Sequence, residues 1–458
     1  MAQRTQAAAR RPAKLTLRVY NVGFGDCFLL TFHYATFQRR VLIDFGSTAT
    51  PQGAKDTWML DIANDIAAQC RDEGAKKGKL HAIVATHRHR DHISGFTTSP
   101  DRRGPGDIIA GLEPDVVVQP WTEDPSAEPD AKTATTVSYT GGRADRESLT
   151  RMFLGTLEHM HAVSKAVAEQ AKENRLQLGP RLCQQLSFLG ENNLKNLAAI
   201  KNLMRMGQKG RAFYVHCDSR TGLEAVLPGV EVAALGPPDM DQSEKIRKER
   251  SRDPNEFWQF RSFWQFQAGA AAAAAPDGNV KRLFPNAEFY TAEDLPANAR
   301  WFVHRARQIR GDQMLELVRC LDSAMNNTSV ILLFTIGKTR LLFPGDAQIE
   351  NWSYALNQEK FRKPLADVNL YKVGHHGSLN ATPKSLWKLF AHRSPQETPD
   401  RLQTVMSTKP GKHGSAAKGT EVPRRALVEE LKTESEYFST QDLKGRDRMC
   451  KEFEILLK

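Results

Sequence analysis

The sequence predicts an α/β (α+β) fold in which two strand-rich halves flank a long, mainly helical insertion. The first observation behind this is a set of short apolar runs, near both ends of the chain, that stop at Gly- or Asp-bearing turns as sheet strands do. The second is the middle, where residues 144–210 carry apolar positions at helical spacing, Leu154, Leu157, Met160 and Val163 among them. The third is size: 458 residues, 40% hydrophobic and 26% charged, can bury a sizeable core and fit one large decorated domain or two modest ones.

Residues 1–14 (MAQRTQAAARRPAK) form a basic tail expected to be disordered. The first half of the fold spans 15–96. Leu15–Tyr20 alternates apolar and polar residues, as a half-buried strand does. A turn at Gly23-Phe24-Gly25-Asp26 leads to the apolar runs Cys27–Phe32 and Val41–Ile43, the latter ending at Asp44-Phe45-Gly46. Three strands this close read as an antiparallel meander. Trp58–Glu73 reads as a helix, and His81–Ala85 as a short buried strand running into a histidine cluster.

The insertion spans 97–320. It includes a strand-like segment near 223–238, a charged run (EKIRKERSRD) and an aromatic cluster of Phe257, Trp258, Phe260, Phe263, Trp264 and Phe266. Six alanines from Ala270 to Ala275 follow, readable as helix or as a flexible insert. The second half spans 321–458. Ser329–Thr335 and Arg340–Phe343 form a hairpin ending in Pro344-Gly345-Asp346. Val368–Val373 ends in Gly374-His375-His376-Gly377-Ser378; a strand at Leu402–Ser407 and a helix near Pro423–Lys432 close the organised part.

The formal charge of +11 and a pI near 9.3 favour a polyanionic partner such as nucleic acid, against an uninvolved basic surface. Six cysteines without a CxxC pair argue against a zinc ribbon or a disulfide framework and fit a reducing, cytoplasmic setting. No apolar run reaches the roughly 18 residues of a membrane helix, and no secretory leader is visible.

The chemistry gathers at Thr86–His92, which reads THRHRDH. Two histidines one residue apart at a strand end, His87 and His89, can turn their imidazoles on one cation. Asp91 and His92, beyond a turn, can serve a second. Imidazole with carboxylate suits zinc, and also manganese or iron. Solvated surface histidines are the alternative; the apolar strand before the cluster and the Ile93-Ser94-Gly95 turn after it argue against them.

The HxHxDH pattern after a strand, Asp44 at an earlier strand end, Asp346 in FPGD and the HHGS of His375–Ser378 occur in that order. In this the sequence resembles the metallo-β-lactamase superfamily. Together with VGFGD at Val22–Asp26 and NNTS from Asn326, it is similar to a narrower branch, the metallo-hydrolase domain of competence DNA-uptake (ComEC-like) proteins. The resemblance covers 15–96, 325–380 and, more weakly, 401–432. It implies an αββα metallo-β-lactamase sandwich with a large helical insertion and two divalent metal ions at one edge, zinc first, with manganese or iron as alternatives. His87 and His89 would hold the first ion, Asp91 and His92 the second, and Asp346 would bridge them.

His376 or His375 would complete the second site. His376 is the expected ligand, because Gly377 leaves room for close approach, and His375 would meet the substrate or leaving group; alternatively one of the two is merely packed. A histidine that most binuclear members carry between the signature and the GD aspartate is missing. His159, His161, His216 and His304 lie in that interval, none of them just before a recognisable strand end, and Asn326-Asn327 stands roughly in its place. The first site is therefore expected to be ligand-poor, with His216 as a fallback.

Asp91 is also expected to orient the nucleophile. Asp44 would accept an imidazole N–H and fix a ligand's tautomer, or cap the Phe45-Gly46 turn. His413, in KPGKHGS, would contact substrate or be a plain loop histidine. Ser378 would bond a phosphate oxygen or cap the following segment.

The implied activity is hydrolysis by a metal-bound hydroxide. The branch resembled, the positive charge and the Lys/Arg-rich insertion favour a phosphodiesterase or nuclease, with the aromatic cluster stacking bases or forming a packing surface. Two alternatives stand beside it. One is a hydrolase of a small phosphorylated or ester metabolite, with the insertion as a lid. The other is a component of a multi-protein complex of the bacterial defence type, docking a protein partner through 97–320.

Overall fold

The computed structural model describes residues 11–127, 133–134, 155, 197–239, 241–243, 326–378, 382–412, 421–444 and 448–457. The chain divides into two units, Met1–Gly142 with Ala198–Lys248 and Met325–Lys458, and Arg143–Leu197 with Glu249–Ala324. The second unit lies almost wholly outside the described residues. So do tail residues 1–10, the helical pattern of Leu154, Leu157, Met160 and Val163, the charged run, the aromatic cluster and the alanine run.

The first unit is a mixed α+β structure. Its described strands are β1 (Lys14–Tyr20), β2 (Cys27–His33), β3 (Gln38–Phe45), β4 (Ala82–Val84), β5 (Val116–Pro120), β6 (Arg211–Val215) and β7 (Glu231–Gly236). In the C-terminal half they are β8 (Ile331–Ile336), β9 (Thr339–Phe343), β10 (Leu370–Lys372), β11 (Gln403–Met406), β12 (Glu436–Ser439) and β13 (Cys450–Leu456). One sheet has the order β13-β1-β2-β3-β4-β5-β6 and the other β12-β11-β10-β9-β8-β7. β13, β1, β2 and β3 pair antiparallel, and β3 to β6 run parallel. In the second sheet β7, β8 and β9 are antiparallel, and β9 to β12 parallel.

Alternation decides which face each strand buries. In β1 Leu15, Leu17 and Val19 point into the core while Thr16 and Arg18 point away. β5, by contrast, is buried along its whole length, as expected for a parallel strand covered on both faces. Inward-facing side chains from both sheets form one apolar cluster; Phe28 meets Phe343 with ring centroids 5.8 Å apart, and Phe32 meets Phe334 at 6.2 Å. Behind the six-stranded sheet, helices Ile349–Asn357, Glu359–Ala366, Lys384–Leu389 and Arg425–Glu434 contribute Trp352, Leu365, Trp387 and Leu431 to a second cluster. Behind the other sheet, helix Trp58–Gln69 offers Asp65 to the Tyr20 hydroxyl at 2.7 Å and the Arg18 guanidinium at 3.1 Å.

The structure redraws the expected insertion. β5, β6 and β7 fall within 97–320 yet belong to the two sheets, so the part outside the first unit narrows to 143–197 and 249–324. Beyond the last helix, β12 and β13 add strands where a terminal helix was expected to end the fold. β13 lies along the full length of β1, from Lys14 opposite Leu456 to Tyr20 opposite Cys450. Its residues are largely exposed, so its apolar-polar alternation reads as surface until a partner is seen.

His81 fixes where β4, and hence the histidine cluster, begins. Its Nδ1 accepts the Arg40 N–H at 3.0 Å, its own N–H donates to Arg40 O at 2.9 Å, and its carbonyl accepts from Asp115 and Val116. Burial first, and then the Arg39 guanidinium 2.9 Å away, push the imidazole down to about 4. A depressed histidine stabilises the fold fully above the unfolded value of about 6.5 and loses that contribution as pH falls through about 4. The stability gap between wild type and His81→Asn, which keeps an acceptor but cannot titrate, should therefore shrink between pH 7 and pH 4. The expected change is on the order of 1–2 kcal/mol after solvent screening, read from urea unfolding at several pH values. A gap independent of pH would show that the ring is not held neutral.

Candidate metal centre

The carboxyl ends of β3, β4, β9 and β10 deliver the polar side chains, the edge at which open α/β sheets present ligand groups. β3 reaches Asp44 in a left-handed conformation, φ 54°, which aspartate tolerates better than most residues. Its Oδ1 accepts the Thr86 N–H at 2.7 Å, and its Oδ2 accepts the Thr86 hydroxyl at 2.7 Å and His92 Nδ1–H at 2.8 Å. One carboxylate thus ties the end of β3 to the segment that leaves β4.

A single helical turn, Arg90–Ile93, carries Asp91 and His92 inward. It can sit there because two glycines face it. A Cβ on Gly46 would lie 2.5 Å from Asp91 C and His92 N, and one on Gly25 2.6 Å from Asp91 O. Asp26 N–H then donates to Asp91 O at 2.9 Å, clasping the turn.

From the second sheet, β9 ends before Asp346 and β10 before the histidine doublet. His375 and His376 both have positive φ, 42° and 52°, a conformation costly for residues other than glycine and found where the surroundings enforce it. The turn drives His376 into the interior and leaves His375 about a quarter exposed.

The result is a buried group of Asp91, His92, Asp346 and His376, each offering one ligand atom within 4.8 Å of the others. His376 Nε2 lies 3.2 Å from Asp91 Oδ2 and 3.6 Å from Asp346 Oδ2, and His92 Nε2 lies 3.1 Å from Asp346 Oδ2. The far nitrogens are already engaged, His92 Nδ1 by Asp44 and His376 Nδ1 by Ser407 O at 3.0 Å. Both Nε2 atoms are buried without a well-aligned hydrogen bond, so two ring nitrogens and two carboxylates face one small volume. That donor set fits a divalent metal ion. Asp26, Asp44 and His92 form a second, overlapping group behind it.

Electrostatics follow from this crowding. Burial works against a charged His92, but Asp346 and Asp44 on either side outweigh it and hold the ring well above its ordinary value. Burial also opposes the charge on Asp346, yet His92, His376 and His375 keep that carboxyl well below the usual range. Asp91 is held low likewise, against burial, by His376 Nε2 3.2 Å away and by the His92 charge. For His87 burial dominates, reinforced by His92 and His89, and the ring stays neutral.

His87 and His89 are brought to the same place without entering that group. His87 Nε2 and His89 Nδ1 are 3.0 Å apart, and the His87 ring lies 4.1 Å from that of His92. His375 Nε2 stands 3.8 Å from Asp346 Oδ2, at the rim. Among the described residues His216, beyond β6, joins no metal-binding group. His413, His159, His161 and His304 lie outside the described residues. Ser378 is half-buried and follows the doublet after Gly377.

Two residues of the centre were not among the expected site residues. Asp26 was visible only as the last letter of VGFGD. Lys372, fully buried at the end of β10, contacts Asp26 Oδ2, donates to Gly345 O at 3.1 Å and lies 3.7 Å from Asp346 Oδ1. A lysine inside an otherwise apolar strand was the available signal, and alone it reads as an exposed edge position.

No protein-family model matches the chain. The chain is similar to Recombination protein 2 of Haemophilus influenzae, 28% identical over 113 residues, which is 23% of this chain and 14% of that protein.

If Asp44 holds the His92 proton at Nδ1, Asp44→Asn should spoil the site without removing its bulk. An amide that accepts from Thr86 N–H with its oxygen turns its NH2 towards His92, forcing the proton onto Nε2. Zinc affinity, measured by competition with a chromophoric chelator, should fall about 10- to 100-fold. Unchanged affinity would show that His92 Nε2 is not a ligand.

Proposed function

We propose that the protein is a metal-dependent hydrolase of phosphodiester bonds, with nucleic acid as its substrate. The observation that carries this reading is the convergence of Asp91, His92, Asp346 and His376, from three distant stretches of chain, into one buried donor set. Asp91, His92, Asp346 and His376 would hold a divalent ion, zinc first, and His87 and His89 would serve a second; bound there, such an ion would lower the pKa of water from 15.7 towards about 7 and polarise a phosphoryl oxygen.

The side chains supply the rest. Asp44 and Ser407 O fix the tautomers of His92 and His376, so that neither ring needs to reorganise. Asp91 and Asp346 stay ionised and orient whatever enters between them. His375, the partly exposed member of the doublet, stands where it can pass a proton to a leaving oxygen. Substrate choice rests on charge and similarity. A net charge of +11 attracts a polyanion, and the relative from Haemophilus influenzae is named for recombination, a process on DNA.

Purified protein should contain zinc or manganese by mass spectrometry and cleave single- or double-stranded DNA, RNA, or the model diester bis-p-nitrophenyl phosphate. Asp91→Ala and Asp346→Asn should each lower the rate by about a thousand-fold, equivalent to about 4 kcal/mol. Full activity in both variants would sink the proposal. Turnover of the small diester alone would move the substrate to a small phosphorylated metabolite.

A further inference from the structure

The proposed reading uses the histidines and carboxylates that face one another, and leaves unexplained why a lysine is buried behind them. An ammonium without partners is among the costliest groups to take out of water, so Lys372 needs its oxygens as much as they need it. Those oxygens are Asp26 Oδ2, Gly345 O at 3.1 Å and Asp346 Oδ1 at 3.7 Å.

The two oxygens of Asp346 are consequently not equivalent. Oδ1 accepts the His375 N–H at 3.1 Å and faces Lys372. Oδ2 faces the imidazoles, His92 Nε2 at 3.1 Å, His376 Nε2 at 3.6 Å and His375 Nε2 at 3.8 Å. Asp26, the partner of Lys372, lies behind two of those rings, with Oδ1 3.5 Å from His376 Nδ1 and Oδ2 3.7 Å from His92 Nδ1. The Asp26–Lys372 pair therefore touches the carboxylate at its rear oxygen and the two imidazoles at their rear nitrogens.

We infer that Lys372, paired with Asp26, is a positioning residue of the metal centre, which holds Asp346 so that Oδ2 alone is presented to the ions. This rests on the metal-centre reading above. A pair that merely fastened the turn after β1 to the end of β10 would affect stability and leave ion binding untouched.

The decisive variant is Asp26→Asn/Lys372→Met, which removes both buried charges together. Exchanging a whole buried ion pair for neutral groups is tolerated far better than removing one partner. The probes are zinc and manganese alone, titrated against a chromophoric chelator, with thermal unfolding of the metal-free protein measured alongside. Affinity should fall about 10- to 100-fold, the range for groups that orient ligands, while the melting temperature stays within a few degrees of wild type. Should that double variant not fold, Asp26→Asn/Lys372→Gln, which keeps a donor for Gly345 O without either buried charge, should show the same fall. Wild-type affinity in a folded variant would overturn the inference and leave the metal-centre reading standing. Wild-type protein that takes up no divalent ion would overturn that reading first.

Discussion

Buried charge in this fold has to be neutralised within a few ångströms of where it sits. Asp26, Asp44, Asp91 and Asp346 are all at most 7% exposed, and they crowd around His92, His376 and Lys372. Two like charges 4 Å apart repel by about 4 kcal/mol even at an effective dielectric constant of 20. The carboxylates coexist because a cationic group stands between each of them and the next: His92 between Asp44 and Asp346, His376 between Asp91 and Asp346, Lys372 between Asp26 and Asp346. Against burial, the acidic neighbours favour the charged form of both rings, holding His92 well above its ordinary value and raising His376, and a divalent ion in the same place would meet the same four carboxylates.

The architecture serves that constraint. Two sheets bury one apolar cluster between them, and their strand ends bring Asp44, the Arg90–Ile93 turn, Asp346 and the histidine doublet to one edge. Gly25 and Gly46 remove the bulk that would keep the signature turn away from the ends of β2 and β3. The left-handed conformations of Asp44, His375 and His376 mark where the backbone yields to side-chain placement. Each is unfavourable by itself, and each is held by hydrogen bonds from a neighbouring segment, Thr86 for Asp44 and Asp346 for His375.

Legibility in the sequence tracked locality. His87, His89, Asp91 and His92 stand out because they are contiguous, and Asp44, Asp346 and His376 because each ends an apolar run. β1 to β3 were readable from alternation and close-set turns. β5 was not, since a wholly buried run such as VVVQP carries no period, and β6 was absorbed into a region read as mainly helical, whereas β7 falls within the strand-like segment expected near 223–238. β13 needs β1, more than 400 residues away, before its alternation means anything. Asp26 and Lys372 were missed for a related reason: they pair with each other across 346 positions of sequence, and a lysine in an apolar strand does not by itself reveal a buried partner.

The same geometry implies that the two halves of the centre are unequal. Asp91, His92, Asp346 and His376 supply four donors within 4.8 Å, whereas His87 and His89 join no third donor within that distance among the described residues. The neutral His87 ring and His89 are close enough to share a hydrogen between Nε2 and Nδ1, a bond that an incoming ion must displace. On the other side an ion would displace protons from the His92 and His376 imidazoles and meet four donors. The side formed by Asp91, His92, Asp346 and His376 is therefore the one whose own residues would enclose a divalent ion, whereas an ion held by His87 and His89 would have to draw more of its coordination from other donors.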